Sequence, residues 1–143
     1  MFDEICEVIS QGENLPMSEI FADNRKGENV YARQLIAYFS REYGVGSLHY
    51  IGKKIGKDHA TVMSGVDAIN NYLDTDRVKK ENIEKYRRRI DRIKMLQNKQ
   101  EDMDMIIAPL KNEITALETR LLNIQVMTKN IIDHINELYS EKA

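Results

Sequence analysis

The sequence predicts an all-α chain, in which a compact head of short helices at residues 1–75 precedes a long helical tail at residues 76–143. Three observations predict this class. All seven glycines lie at or before Gly65, and strand-like alternation of apolar and polar residues is weak throughout. Apolar residues instead recur every three to four positions, in short stretches at first and then continuously through the tail.

Composition argues against two classes of protein. With 42% hydrophobic and 31% charged residues, the chain is too polar for a membrane protein and too apolar for a disordered one. The N-terminus, MFDEICEVIS, lacks the basic start and apolar core of a secretory signal peptide. Cys6 is the single cysteine, which excludes an intramolecular disulfide. We therefore expect a cytoplasmic protein with no membrane partner.

The formal net charge of −2 conceals an uneven distribution. Residues 1–24 carry six acids and no lysine or arginine, whereas residues 25–67 carry seven basic residues against four acids. In residues 68–99, ten basic residues oppose five acids. Because phosphates respond to the local field within roughly 8–10 Å, the basic middle of the chain is compatible with nucleic-acid binding.

Three helices are predicted in the first part of the head. The first spans Phe2 to Gln11, with Gly12 just beyond it, where a helix commonly stops. Pro16 can open a short second helix that ends at Phe21. A polar loop at residues 23–29 leads into a third helix from about Val30 to Tyr43. The inner stripe of this third helix comprises Ala32, Leu35, Ile36 and Phe39.

A short amphipathic helix is predicted after Gly46. Gly52 removes a side chain where a second helix could cross closely, and Gly56 suits the left-handed turn that commonly ends a helix. The apolar residues at helical spacing are Leu48, Ile51 and Ile55.

A further helix follows a tight turn. Asp58 is a good N-cap, able to accept a hydrogen bond from the backbone N–H of Ala60 or Thr61. The core-facing stripe of this helix comprises Val62, Val66, Ile69 and Leu73. Two short helices joined by a tight turn that contains glycine, the second opening with small polar residues, describe a helix-turn-helix.

Three ordered motifs resemble a known family. ArgGln at 33–34 within YARQLIAYFSRE, SLxxIG at 47–52 and DHATV at 58–62 are similar to the C-terminal DNA-binding domain of the bacterial replication initiator DnaA. The order and approximate spacing of all three match, over about residues 1–75. The resemblance implies a helix-turn-helix head whose partner is double-stranded DNA.

The resemblance also implies which residues read DNA sequence. In that family the recognition helix begins with Asp-His-Thr-Thr and reads base edges in the major groove, and Asp58, His59 and Thr61 occupy matching positions. Arg25, in the loop before the ArgGln helix, corresponds by spacing to the family's minor-groove arginine. Short polar groups at a helix N-terminus are suited to reach base edges.

The remaining implied contacts anchor the DNA backbone. Arg33 and Gln34 match family residues that hold phosphates, and Arg41 matches another basic phosphate contact. Leu48 matches an apolar contact at the start of the first helix of the helix-turn-helix. Cationic side chains are the usual anchors on phosphate, which carries no sequence information.

The chain departs from the family in four respects. Ala60 stands in place of a threonine, His49 stands where proline is common, and the turn GlyLysAspHis is one residue shorter than the usual two-glycine form. No GxxxxGK[ST] phosphate-binding motif occurs in these 143 residues, so the ATPase part of an initiator is missing from the sequence. We therefore predict that the protein is not itself a replication initiator.

The tail carries a heptad repeat from Ile93 to Leu138. All seven d positions and five of the seven a positions are apolar, which predicts a coiled coil and self-association as a homodimer or larger assembly. The a positions are Ile93, Gln100, Ile107, Ile114, Leu121, Thr128 and Ile135, and the d positions are Leu96, Met103, Leu110, Leu117, Ile124, Ile131 and Leu138.

Two features leave the arrangement of the tail open. Pro109 favours a helical hairpin, the unbroken register favours one kinked helix, and the hairpin is slightly preferred. In a parallel two-stranded coil Glu113 would face the partner's Glu118, which favours a bundle or an antiparallel arrangement. The basic run from Lys79 to Lys99 is interpreted mainly as a solvated helix surface.

No constellation of catalytic or metal-ligating residues is present in the sequence. His49, His59 and His134 are widely separated, and no nucleophile motif occurs, so we expect no enzyme, metal or cofactor. The leading hypothesis is a sequence-specific double-stranded DNA-binding protein, a regulator or replication accessory factor that oligomerises through its tail. The alternative is an interaction or scaffold protein, with an unknown protein partner, whose head no longer binds DNA.

Overall fold

The computed structural model describes residues Met1–Lys142, which form six α-helices and no strand. This confirms the all-α prediction, with a head of short helices and a long C-terminal helix. No helix within Met1–Lys142 has both the length and the apolar character that crossing a membrane requires. The helices are α1 (Phe2–Glu13), α2 (Met17–Ile20), α3 (Gly27–Glu42), α4 (Leu48–Ile55), α5 (His59–Thr75) and α6 (Arg77–Glu141).

The core of the head forms where α1, α3, α4 and α5 turn their apolar faces towards one another. The predicted inner stripe of α3, from Ala32 to Phe39, is fully buried, as are Ile51 of α4 and Ile69 of α5. Cys6 of α1 is buried in the same core, and burial raises the pKa of its thiol to about 12. The predicted helical periods therefore identify the core, and Cys6 is part of the packing.

The predicted end of α1 at Gly12 is wrong. The helix continues to Glu13, and Asn14, at φ 53°, is the left-handed residue that caps it. Gly12 serves another purpose, because the ring of Tyr86 from α6 lies against its backbone and would overlap a Cβ at this position. The glycine is needed for close packing here and not for chain reversal.

The third helix begins earlier than predicted, at Gly27 instead of about Val30. Asn24 organises the entry into this helix. Its side-chain oxygen accepts from the backbone N–H of Lys26 at 3.3 Å and from Nδ2 of the buried Asn29 at 3.0 Å. These two bonds close the loop sooner than its polar composition suggested, because an asparagine side chain can substitute for backbone partners in a turn.

The beginning of α6 packs against the head, which the sequence did not indicate. Ile83, Tyr86 and Ile90 are buried, and the Tyr86 hydroxyl donates to Glu13 Oε1 at 2.5 Å. Burial raises the pKa of that hydroxyl well above its usual range. The compact unit that contains the head consequently runs from Met1 to Gln97, past the boundary at residue 75 that the sequence suggested.

Arg87 ties α6 to α3 and shows that the basic run is only partly a solvated surface. It is half-buried, forms ion pairs with Glu42 and Glu84, and donates from Nη2 to the Tyr38 hydroxyl at 3.0 Å. Its neighbour Arg88 is exposed, as predicted for this stretch.

From Asn98 onward, α6 forms a second compact unit by itself. The helix continues through Pro109 without interruption, so the preference for a hairpin was wrong and a single helix is present. Pro109 removes one backbone hydrogen bond, but the surrounding residues contain no glycine and keep strong helical propensity.

We predict that Gly12→Ala lowers the free energy of unfolding by up to about 2 kcal/mol. Alanine is favoured over glycine within a helix by about 1 kcal/mol, but the new methyl group displaces the buried Tyr86 ring, and overpacking of this kind costs about 1–3 kcal/mol. Urea unfolding followed by circular dichroism measures the difference.

Gly27→Ala is the matched control, because a Cβ at Gly27 has no neighbour within 4 Å, and it should leave stability unchanged or slightly raised. In a Tyr86→Leu background Gly12→Ala should instead raise the free energy of unfolding, since the Tyr86 ring is no longer present. Persistent destabilisation in that background would contradict this account of Gly12.

Candidate nucleic-acid interface

The turn between α4 and α5 is built on two glycines. Gly56 ends α4 at φ 69°, in the left-handed region, and the Lys57 backbone N–H donates to Gly52 O at 2.8 Å. A Cβ at Gly52 would overlap the Lys57 carbonyl, so this glycine admits the backbone of the turn and not, as predicted, a crossing helix. The two glycines together set the entry of α5 against α4.

Asp58 caps α5 as predicted. Its Oδ1 accepts from the backbone N–H of Thr61 at 2.7 Å, and hydrogen bonding from Thr61 lowers the pKa of the carboxyl group. His59 and Ala60 open the helix and are exposed, as is Thr61. The first turn of α5 therefore presents an exposed edge, whose position is fixed by the cap and by the turn before it.

Helices α3 and α5 approach closely beside this edge. A Cβ at Gly65 of α5 would lie 3.3 Å from Cγ of Gln34, so the glycine permits the half-buried Gln34 to pack there. This approach places the ArgGln pair of α3 beside the start of α5, which the linear sequence alone does not show.

A cavity of about 380 Å³ opens between the α2–α3 loop, α3 and the start of α5. Four of the predicted site residues line it, namely Arg25, Arg33, Gln34 and Thr61. The structure thus brings together residues from the loop before α3 and from two of the three motifs.

The other four predicted residues do not line the cavity. Asp58 and His59 adjoin Thr61 at the start of α5, Arg41 is exposed near the end of α3, and Leu48 is half-buried against the core at the start of α4. Leu48 therefore packs against the core, and only the exposed part of its side chain is available for the predicted apolar contact with DNA.

Arg33 is the most constrained member of the set, with only 6% of its surface exposed. Its Nη1 donates to Ile20 O at 2.6 Å and Ala22 O at 3.2 Å, and its Nη2 donates to Asn24 O at 2.6 Å. Burial lowers the pKa of the guanidinium, which nevertheless stays charged in proteins. Most of its donors are therefore engaged within the head, and its predicted contact with phosphate stays a prediction.

Lys57 was missed as a site residue. It lies in the turn directly before Asp58, lines the same cavity and forms an ion pair with Asp23 at 2.8 Å. This interaction holds the pKa of the Asp23 carboxyl below its usual range. A basic residue in the turn next to the helix cap was the signal in the sequence, whereas Asp23 could not be paired with it from spacing alone.

Ser64 was also missed. It is exposed on α5 one turn after Thr61 and lines the cavity, and its i+3 spacing from Thr61 could have identified it. Within Met1–Lys142, no group of three or more histidine, cysteine or acidic side chains is arranged to hold a metal ion.

Comparisons with known proteins converge on one family. Residues 2–69 match the helix-turn-helix of bacterial DnaA proteins. The chromosomal replication initiator protein DnaA of Bacteroides thetaiotaomicron is 38% identical over 76 residues, which cover 52% of this chain and 16% of the relative. Those of Lachnoclostridium phytofermentans and Flavobacterium psychrophilum are both 37% identical, covering 52% of this chain and 17% and 16% of their own. The chain thus spans about a sixth of the length of these relatives.

We predict that Arg33→Ala lowers the free energy of unfolding by about 2–4 kcal/mol. The substitution leaves the buried Ile20 carbonyl and the half-buried Asn24 carbonyl without their donor; an unsatisfied buried group costs about 1–3 kcal/mol, and less where water reaches it. Urea unfolding gives the magnitude.

Arg41→Ala is the matched control, since Arg41 is exposed on the same helix, and it should change stability by no more than about 0.5 kcal/mol. Arg33→Lys should recover only part of the loss, because an ammonium cannot span carbonyls on both Nη positions. Equal stability of Arg33→Ala and the wild type would remove Arg33 from this role.

Proposed function

We propose that the chain is a non-enzymatic, sequence-specific double-stranded DNA-binding protein, because residues 2–69 match the helix-turn-helix of bacterial DnaA proteins. The observation that carries the proposal is the exposed first turn of α5, beside which cationic side chains from two other segments gather. A helix-turn-helix reads DNA by placing the N-terminal residues of its second helix in the major groove, with cations on either side of that helix.

The proposed contacts divide by their chemistry. His59 and Thr61 present short polar groups on the first turn of α5, where base edges can be reached. Arg41 and Arg25 are exposed cations, suited to phosphate and to the minor groove respectively. Lys57 joins the backbone contacts in this proposal, once phosphate competes with Asp23 for its ammonium group.

We further propose that the chain acts as a regulator or replication accessory factor that associates with itself through the tail. Ten of the twelve a and d side chains of α6 beyond Gln97 are apolar and most of them are exposed, and an apolar stripe of that length favours a partner helix. Self-association raises the affinity for paired half-sites through effective concentration, without any new contact to DNA.

A second candidate is an interaction protein whose head no longer binds DNA. Two observations favour it: the ion pair with Asp23 offsets the charge of Lys57, and three carbonyls occupy donors of Arg33 that a phosphate would need. Duplex binding distinguishes this candidate from the first.

We predict that the chain binds duplex DNA with strong salt dependence, and that His59→Ala costs about 1–3 kcal/mol on the preferred site and little on random duplex. Arg41→Ala should weaken binding to both about equally, because a phosphate contact carries no base information. Selection from random duplexes, followed by titrations at two salt concentrations, measures these differences.

Lys142→Ala is the matched control for a lost exposed cation, because Lys142 lies in the tail, outside the head, and it should leave binding unchanged. Absence of duplex binding by the wild type at low salt would favour the interaction protein. Equal losses for His59→Ala on selected and random duplex would assign His59 a structural or phosphate role.

We also predict that the full-length chain is a dimer or larger at micromolar concentration, whereas residues 1–97 alone are a folded monomer, since Met1–Gln97 form a compact unit with its own core. Light scattering coupled to size exclusion measures both masses. A mass of one chain for the full-length protein would refute self-association through the tail.

A further inference from the structure

The tail, α6 from Asn98 onward, leaves its apolar stripe uncovered among the described residues. At the middle of the stripe, Ile114 and Leu117 are 55% and 53% exposed. We propose that this stripe binds the same stripe of a second copy in antiparallel orientation and in one register. The proposal rests on the self-association proposed above and specifies its geometry.

In the proposed register, residues at heptad position a of one protomer lie opposite residues at position d of its partner, as an antiparallel coiled coil requires. The two-fold axis lies between the layer that pairs Ile114 with the partner's Leu117 and its symmetry mate, which pairs Leu117 with the partner's Ile114. The layers nearest the axis pair Ile114 with the partner's Leu117, Leu110 with the partner's Leu121, and Ile107 with the partner's Ile124. With their symmetry mates these layers contain only isoleucine and leucine, which suits a dry seam.

Charges beside the stripe are complementary in this register. Next to the axis, Lys111 lies opposite the partner's Glu118, and Glu113 lies opposite the partner's Arg120. The two-fold symmetry repeats both pairs, so the centre of the coil gains four attractive pairs and no repulsive one. Charged residues at the e and g positions are the ones that set orientation and register in coiled coils.

The alternative registers bring like charges together. A shift of one heptad in one direction places Glu113 opposite the partner's Glu113 and Lys111 opposite the partner's Lys111. A shift in the other direction does the same for Arg120 and for Glu118. Parallel pairing in register places Glu113 opposite the partner's Glu118 on both sides of the seam. Each of these arrangements is disfavoured by repulsion that the proposed register avoids.

The two polar a residues are also compatible with antiparallel pairing, in which they face apolar d residues of the partner. Thr128 Oγ1 donates to Ile124 O at 2.8 Å, and Gln100 Nε2 donates to Asp104 Oδ1 at 2.9 Å. Both side chains therefore have hydrogen-bond partners on their own helix. They do not need an identical residue across the seam, which is what parallel pairing would supply.

Antiparallel pairing separates the two points at which the heads are joined to the coil. Asn98 of one protomer lies opposite the partner's Asp133 in this register, so the two Asn98 residues are roughly 50 Å apart at 1.5 Å per residue. The dimer consequently links two heads at opposite ends of the coil, and does not join them at one end as a parallel zipper would.

Glu113→Lys in the full-length chain tests the orientation, because the two arrangements predict changes of opposite sign. In the antiparallel dimer it turns two attractions to the partner's Arg120 into repulsions, and the dimer dissociation constant should rise about tenfold. In a parallel dimer it would turn the repulsion from the partner's Glu118 into attraction, and the constant would fall. Sedimentation equilibrium measures the constant.

Two further variants complete the experiment. Glu101→Lys, at a position outside the seam, makes the same charge change and should leave the dissociation constant unchanged. Glu113→Lys combined with Arg120→Glu exchanges the charges and should restore the dimer. An unchanged or lowered constant for Glu113→Lys would overturn the antiparallel register and leave self-association standing, whereas a wild-type mass of one chain would overturn self-association itself.

Discussion

The placement of the candidate site depends on one buried cation. Between α2 and α3 the chain leaves helical geometry, and the carbonyls of Ile20 and Asn24 accept from Arg33 and from no backbone N–H within Met1–Lys142. Arg33 supplies donors to both and to Ala22, because its planar guanidinium can span several acceptors at once. Since the segment held in this way carries Asp23 and Arg25, the rim of the cavity takes its shape from Arg33.

The cations at the cavity consequently have different roles. A guanidinium already bonded to three carbonyls has few donors left, so an anion at the cavity must depend largely on cations whose heads are free to move. Arg25 is exposed, and Lys57 is held only by an ion pair with an exposed carboxylate, which contributes little and is readily exchanged. The resemblance to initiators predicts that Arg33 contacts phosphate, whereas the structure shows that its side chain holds the α2–α3 loop.

Sequence periodicity predicted those parts of the fold that follow from one helix at a time. The stripes of α3 and α5, the cap at Asp58 and the left-handed turn at Gly56 are local patterns, and each is present in the structure. Gly12 was misread because a glycine that ends a helix and a glycine that admits a ring look alike in sequence. The packing of Tyr86 on the head was missed because its hydrogen-bond partner, Glu13, lies 73 residues earlier in the chain.

The tail shows the same limit in a different form. Its heptad pattern predicted the apolar stripe, but Pro109 led to the wrong prediction of a hairpin. Helix propensity includes the hydrogen bond that a proline removes, but it does not include whether water can replace that bond. Pro109 occupies a c position, away from the a and d seam, and the acceptor it deprives, Met105, is 70% exposed. Water can satisfy that carbonyl, so the helix continues through the proline and the a and d stripe stays continuous.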